Sequence, residues 1–163
     1  MPPTDPPPDL VLTPLQGSGR TIEELLTVFH LLLIVLDPYT EESSWVLPPA
    51  MRVLQTFEQA DCRVGIVITA DVGDARQFLG PLTREVLTFC DAERAVVKAL
   101  GLERLPAIVH LDLSGAVVGA AEGWNPREWR VVCDRLAKTM AWSAPAFGLP
   151  KDPGSFAGTP ALA

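Results

Sequence analysis

The stretch ALGLERLPAIVHLDLSGAVVGAAEGWNPREW, residues 99–129, decides the fold of this chain. Its apolar runs 107–112 and 116–121 flank the turn tripeptide LSG, a combination typical of a β-hairpin. Asn125 and Pro126 then supply an N-cap and a first helical residue. Apolar residues follow at the spacing of one helix face: Trp129, Val132, Cys133, Leu136, Ala137 and Met140. The segment therefore predicts a hairpin followed by an amphipathic helix.

Upstream of this segment, strands and helices are predicted to alternate. The runs HLLLIVLD (30–37) and VGIVITA (64–70) are continuously apolar, as in strands buried on both faces. The other predicted elements are strands at 9–15 and 86–90, helices at 49–59 and 92–100, a short helix opened by a Thr21–Glu24 capping box, and a short helix ended by Gly80-Pro81. This order predicts an α/β domain in which helix-linked strands pair in parallel and the hairpin makes the sheet mixed.

The two ends of the chain differ from the middle in composition. Residues 1–8 are rich in proline, and residues 143–163 consist mainly of proline, glycine and other small residues. Proline interrupts both helices and central strands. We therefore expect a folded domain at 9–142 between a disordered N-terminus and a flexible tail. Phe147, Leu149 and Phe156 leave a docking role open for that tail.

The order of elements resembles the thioredoxin superfamily, over about residues 31–140. Residues 99–129 are similar to the C-terminal half of its peroxiredoxin-like and membrane-anchored thiol-oxidoreductase branch, and VLTFCDAE resembles a strand inserted in that branch. The resemblance implies a three-layer sandwich with a mixed central sheet and a C-terminal hairpin plus helix. It also implies that Pro106 is the cis-proline of the family and faces the active-site loop.

The active-site loop implied by the resemblance departs from the family pattern. The family carries C-x-x-C or a peroxidatic cysteine there, whereas this chain reads DPYTEESSWVLPPAMRVL at 37–54. Aligning the loop on Pro49 or Pro48 places Glu41 and Ser44, or Thr40 and Ser43, at the cysteine positions. A serine hydroxyl stays protonated near neutral pH unless a base activates it. We expect Ser43 or Ser44 to cap the following helix, with a nucleophilic serine as the alternative.

The three cysteines, Cys62, Cys90 and Cys133, are scattered and form no C-x-x-C or metal-type spacing. We expect structural roles for them, with catalysis by Cys62 or Cys90 as the alternative. His30 and His110 lie within or beside apolar runs and are also expected to be structural. Asp37, Asp71 and Asp91 each follow a predicted parallel strand, where a divalent cation is imaginable. Backbone capping by these carboxylates is the interpretation we favour, and no metal or cofactor is predicted.

Composition excludes several classes of partner. The net charge of −7 argues against nucleic acid and anionic membranes, which need clustered basic residues. The longest apolar run is too short to cross a bilayer, and residues 1–10 do not have the composition of a secretory signal. Unpaired cysteines favour a reducing compartment, so we expect a cytoplasmic protein without membrane insertion.

The favoured function is that of a redox-inactive thioredoxin-like module that binds another protein, as an assembly factor, adaptor or subunit of a complex. The alternative is a divergent peroxiredoxin-like thiol oxidoreductase, and self-association through an edge strand is a third hypothesis. Aromatic side chains in the cysteine-free loop are typical interface anchors. The predicted binding residues, on this face, are Tyr39, Trp45, Leu47, Leu105, Pro106 and Trp124. The C-terminal tail is the other candidate binding element.

Overall fold

The computed structural model describes residues 2–162 and shows the alternation of strands and helices that the sequence predicts. The strands are β1 (Val11–Pro14), β2 (Arg20–Thr21), β3 (His30–Leu36), β4 (Cys62–Ile68), β5 (Thr88–Cys90), β6 (Arg104–Leu105), β7 (Ala107–Leu111), β8 (Val117–Glu122) and β9 (Thr159–Pro160). The helices are α1 (Ile22–Leu25), α2 (Glu41–Trp45), α3 (Leu47–Glu58), α4 (Val72–Leu79), α5 (Ala95–Leu100) and α6 (Pro126–Met140), with a 3-10 helix at Gly80–Arg84. None of these helices, within residues 2–162, is long and apolar enough to cross a membrane.

Seven strands form the central sheet in the order β2-β1-β5-β4-β3-β7-β8. The predicted parallel pairing holds for β3, β4 and β5. It is wrong for β1, which pairs with β5 antiparallel, and for β7, which pairs with β3 antiparallel. The crossover rule applies to neighbouring parallel strands, whereas α5 and β6 carry the chain past β4 to the far side of β3. The sheet is mixed, as predicted.

The helices cover both faces of the sheet, so the fold has three layers. Alternate side chains of β3 enter two separate cores because successive residues of a strand point to opposite faces. One core contains side chains of α3, α4 and α6 together with Leu32, Ile34 and Leu36. The other contains side chains of α1 and α5 together with Leu31, Leu33 and Val35. Burial of β3 on both faces explains its unbroken apolar sequence.

Local sequence signals fix several helix ends where they were predicted. The Thr21–Glu24 capping box forms at α1, and the Asn125 side chain accepts a hydrogen bond from Arg127 N at the start of α6. Gly101 ends α5 with a φ of 66°, a left-handed conformation that favours glycine. Trp129 of α6 is fully buried, as its position on the apolar face predicted.

Both chain ends lie against the domain, which differs from the expected disordered N-terminus and flexible tail. Near the N-terminus, Thr4 N donates to Leu100 O at 2.8 Å. In the tail, β9 pairs with β6 as a separate two-stranded sheet, and Phe147 is buried. Proline-rich sequence lacks a helix or strand period, but its backbone groups and scattered apolar side chains can still bind a surface that the domain provides.

Candidate functional site

The carboxyl end of β3 leads into the loop where the resemblance implies an active site. Asp37 follows β3 and is buried; its Oδ1 accepts a hydrogen bond from Tyr39 N at 3.0 Å. Its Oδ2 lies 3.2 Å from Arg94 Nη2 in an ion pair. Val35 of β3 is paired with Ala107 of β7. Continued by one residue, this register brings Leu36, which precedes Asp37, opposite Pro106, whose bond to Leu105 is cis.

The two serines of the loop bind the loop itself. Ser43 is buried, and its Oγ accepts a hydrogen bond from Asp37 N at 3.1 Å and contacts Thr40 Oγ1 at 3.3 Å. Ser44 Oγ donates to Glu41 O at 2.6 Å. The prediction that one of them caps the next long helix is wrong, because the N-cap residue of α3 is Val46. Both serines instead lie within the short helix α2, which precedes α3.

The histidines are remote from these serines. His30 begins β3 and Asp37 follows its end, so about 20 Å of strand separates the two positions. His30 Nδ1 and His110 Nε2 are 2.9 Å apart and share a hydrogen bond. Burial lowers the pKa of His110 to about 4, with a further contribution from the neighbouring His30. A base for a nucleophilic serine is therefore not supplied by either histidine.

The three strand-end aspartates are held by backbone and arginine partners. Asp71 Oδ1 caps α4 by accepting from Asp74 N at 2.8 Å. Asp91 caps α5, accepting from Val96 N and Val97 N at 3.1 and 3.2 Å. Asp37 is paired as described above. Within residues 2–162, no group of three or more His, Cys, Asp or Glu side chains could hold a metal ion.

The predicted binding residues divide into an exposed set and a buried set. Tyr39 is 63% exposed and Trp45 48% exposed, while Leu47 is half-buried. The Tyr39 hydroxyl donates to Asp74 Oδ2 at 2.5 Å, and this bond raises the pKa of Tyr39 to about 12. We call the surface around Tyr39, Trp45 and Leu47 the loop face.

The buried set comprises Leu105, Pro106 and Trp124. Trp124 is fully buried: its Nε1 donates to Pro153 O at 2.9 Å, and its ring packs edge-on against Trp129 at 5.0 Å between centroids. Burial of Trp124 keeps it away from an external protein, in contrast to the exposure expected from its position after the hairpin.

The C-terminal segment contacts two of these buried residues, Leu105 and Trp124. We call residues 152–161 the strap. Phe156 exchanges two backbone hydrogen bonds with Trp124, both 2.9 Å, and its ring meets Trp45 edge-to-face at 5.7 Å. Thr159 and Pro160 pair with Leu105 and Arg104, so the strap adds an antiparallel strand to β6. Sequence reasoning did not find this contact, although Phe156 stood out as an apolar residue in the tail.

Two arginines hold the ends of the strap. Arg52 of α3 binds both carboxylate oxygens of Asp152, with nitrogen–oxygen distances of 2.9 and 2.6 Å. This hydrogen-bonded pair lowers the pKa of Asp152. Arg94, with a φ of 56°, donates to the carbonyl oxygen of Ala161 and also binds Asp37. Arg94 thus joins the end of the strap to the end of β3.

The three thiols are free and lie apart from one another. Cys62 begins β4 and Cys90 ends β5, so they lie at opposite ends of two neighbouring parallel strands, while Cys133 is on α6. Burial raises the pKa of Cys62 and of Cys133 to about 12. Burial, and then the carboxylate of Asp71, raise the pKa of Cys90. A thiol with a raised pKa is a poor nucleophile at neutral pH because little of it is thiolate.

Comparison with known proteins identifies the fold. No protein-family model matches the sequence, and no curated protein matches it significantly. Solved structures do match. A variant of peroxiredoxin Q from Xanthomonas campestris superimposes with a TM-score of 0.66 at 17% identity, covering 85% of this chain and 96% of that chain.

Two further solved structures match over most of the chain. A secreted Mycobacterium tuberculosis disulfide oxidoreductase homologous to E. coli DsbE matches with a TM-score of 0.60 at 18% identity, covering 82% of this chain and 95% of that chain. MTB dsbF, in mixed oxidised and reduced forms, matches with a TM-score of 0.64 at 18% identity, covering 82% and 94%. Identities this low define architecture and not chemistry. With its strand order, helix layers and hairpin, the chain has a thioredoxin-like fold.

Proposed function

We propose that this chain binds another protein through the loop face and does not carry out thiol–disulfide exchange. The observation that carries the proposal is the exposure of Trp45, 48%, at the position where the resemblance implies a redox loop. Its ring is held on one side by Phe156. An exposed tryptophan offers a large apolar surface for a partner to bury, which suits it to anchor an interface.

Two features of the loop support binding over catalysis. The loop contains no cysteine in either alignment, which places Glu41 and Ser44 or Thr40 and Ser43 at the cysteine positions that the resemblance implies. The Ser43 hydroxyl is engaged by Asp37 N and Thr40. Tyr39, the second exposed aromatic residue, is tied to Asp74 of α4. The loop face therefore presents two aromatic side chains from a hydrogen-bonded loop. Three free cysteines fit a reducing compartment, and we keep the cytoplasm as part of the proposal.

A Trp45→Ala variant tests this function. We expect the affinity for the partner to fall by about 30-fold, or about 2 kcal/mol, so that the tagged variant recovers less partner from its native host. The melting temperature should be nearly unchanged. Trp142→Ala is the matched control, because Trp142 is 42% exposed and donates to Thr56 O, away from the loop face. The control should retain the partner.

Two results would overturn the proposal. One is a Trp45→Ala protein that loses several kcal/mol of stability while each folded molecule still binds the partner. The other is insulin reduction or peroxide consumption by the purified chain that disappears when Cys90 or Cys62 is replaced by serine. The second result would establish the thiol-oxidoreductase alternative, which the names of the structural neighbours favour.

A further inference from the structure

Residues 155–161 behave as a bound peptide that belongs to the chain itself. Thr159 and Pro160 form the strand that pairs with β6, Gly158 before them has a φ of 88°, and the segment bonds to Trp124 and Glu103 through backbone groups. Such bonds are made to main-chain atoms and so accept other sequences in the same conformation. We propose that this segment is an internal ligand, and that an extended segment of a partner protein with the same pattern displaces it. The inference rests on the proposed function, whose partner it describes.

The contacts of the strap define the pattern that the partner must match. The aromatic ring of Phe156 meets Trp45 at 5.7 Å, and Trp45 is half-exposed, so an external ring can reach the same place. Two positions later, a Cβ on Gly158 would lie 2.7 Å from Leu105 O and 3.0 Å from Gly123 Cα. Only glycine fits there. An extended segment with an aromatic residue, one further residue and then glycine is the pattern that this edge selects.

The contacts of the strap keep it ordered, but they are weak enough for a partner segment to replace it. Its strand β9 is two residues long, and Ser155, Ala157 and Pro160 are exposed. Within residues 2–162, the buried hydroxyl of Thr159 is one of two buried side-chain polar atoms without a hydrogen-bond partner. A buried hydroxyl that makes no bond weakens the fit. A partner segment with valine at this position would avoid that penalty.

A labelled peptide with the sequence DPGSFAGTPAL, residues 152–162, serves as the probe, and the full-length chain is the receptor. In Gly158→Ala the added methyl group clashes with Leu105 O, so the internal strap leaves β6 and the edge becomes free. We expect the peptide to bind this variant at least tenfold more tightly than the wild-type chain. Gly154→Ala is the matched control, because a Cβ there has open space around it; its affinity should equal that of the wild type.

A second pair of measurements keeps the test independent of Gly158→Ala folding. A peptide with valine in place of Thr159 should bind the free edge about tenfold more tightly than the native peptide. The same change in the full-length chain, Thr159→Val, should strengthen the internal strap and reduce peptide binding below the wild-type level.

Three outcomes would overturn the inference. The first is equal peptide affinity for the wild type, Gly158→Ala and Thr159→Val. The second is no binding to a folded Gly158→Ala chain. The third is a wild-type dimer that Gly158→Ala abolishes, which would assign the edge to the strap of a second copy. These outcomes test only what binds to β6. Failure of the proposed function would instead appear as partner binding that is unchanged in Trp45→Ala.

Discussion

His110 shows how a single buried residue makes stability depend on pH. It is 1% exposed in the middle of β7, and burial lowers its pKa to about 4, helped by His30 and Arg135 and opposed by Asp112. In the unfolded chain an ordinary histidine titrates near 6.5. Between these values the unfolded state binds more protons than the folded state. The contribution of His110 is therefore complete above about pH 6.5 and is lost as the pH falls towards 4.

We predict that the wild-type chain loses up to about 2 kcal/mol more of unfolding free energy between pH 7 and pH 5 than a His110→Leu variant does. Urea unfolding at the two pH values measures the difference. The variant removes the titrating group and keeps an apolar side chain of comparable size in the core. Identical pH dependence of the two proteins would show that His110 is protonated without cost in the folded state.

For single residues, the sequence could identify the members of the loop but not the residues that pack around them. Tyr39 and Trp45 lie in a loop flanked by prolines and acidic residues, which places aromatic side chains at the surface. Trp124 follows a hairpin in the same way and is nevertheless fully buried. Its cover, Phe156, is 32 positions later in sequence, and no local pattern relates two residues at that separation.

Among the elements, α5 illustrates how a carboxylate from the preceding loop sets the start of a helix. Asp91 is buried and accepts hydrogen bonds from Val96 N and Val97 N. The first N–H groups of a helix have no partner within the helix, so this side chain replaces water that the buried site excludes. These bonds give a structural reason for the aspartate that directly follows β5.

We predict that Asp91→Ala lowers the unfolding free energy by about 1–2 kcal/mol, since it leaves these N–H groups without their acceptor. Asp61→Ala, at an exposed position, should change stability by less than about 0.5 kcal/mol. Thermal or urea unfolding of both variants makes the comparison. Equal effects of the two substitutions would mean that solvent satisfies the helix start as well as Asp91 does.

The elements that the sequence predicted well are those whose apolar residues follow a regular pattern. The unbroken apolar run of β3 and the helical spacing of α6 arise from burial on two faces and on one face, respectively. Pairing direction was predicted less well, because β7 joins the sheet beside β3 and not beside β5. The strands β6 and β9, two residues each, are too short to have a pattern. Their pairing depends on the folded surface.

For the molecule as a whole, the C-terminal residues are part of the packed structure. Phe147 contributes to the core that contains α3 and α6, and Asp152 is bound by Arg52. Ala161 is 1% exposed and belongs to the core on the other face of the sheet. The segment after α6 therefore contacts both sides of the three-layer sandwich.

We predict that a chain ending at Trp142 melts at a lower temperature than the full chain, by roughly 10 °C. The reason is the loss of several kcal/mol from the exposure of Trp124, Leu105 and the site of Phe147. Calorimetry measures the shift, and Leu162→Ser, at an exposed position, is the control that should melt like the full chain. An unchanged melting temperature in the truncated chain would restore the prediction of a flexible tail.

The close approach of Gly123 and Gly158 has a consequence for how this protein can evolve. A Cβ on Gly123 would lie 2.5 Å from Ala157 O, and one on Gly158 would lie 3.0 Å from Gly123 Cα. The two positions therefore form one steric unit, although they are 35 positions apart in sequence. Descendants that keep the strap must inherit both glycines together. In a lineage that loses the strap, position 158 is no longer restricted to glycine. Position 123, with a φ of 76°, would still admit little beyond glycine and asparagine.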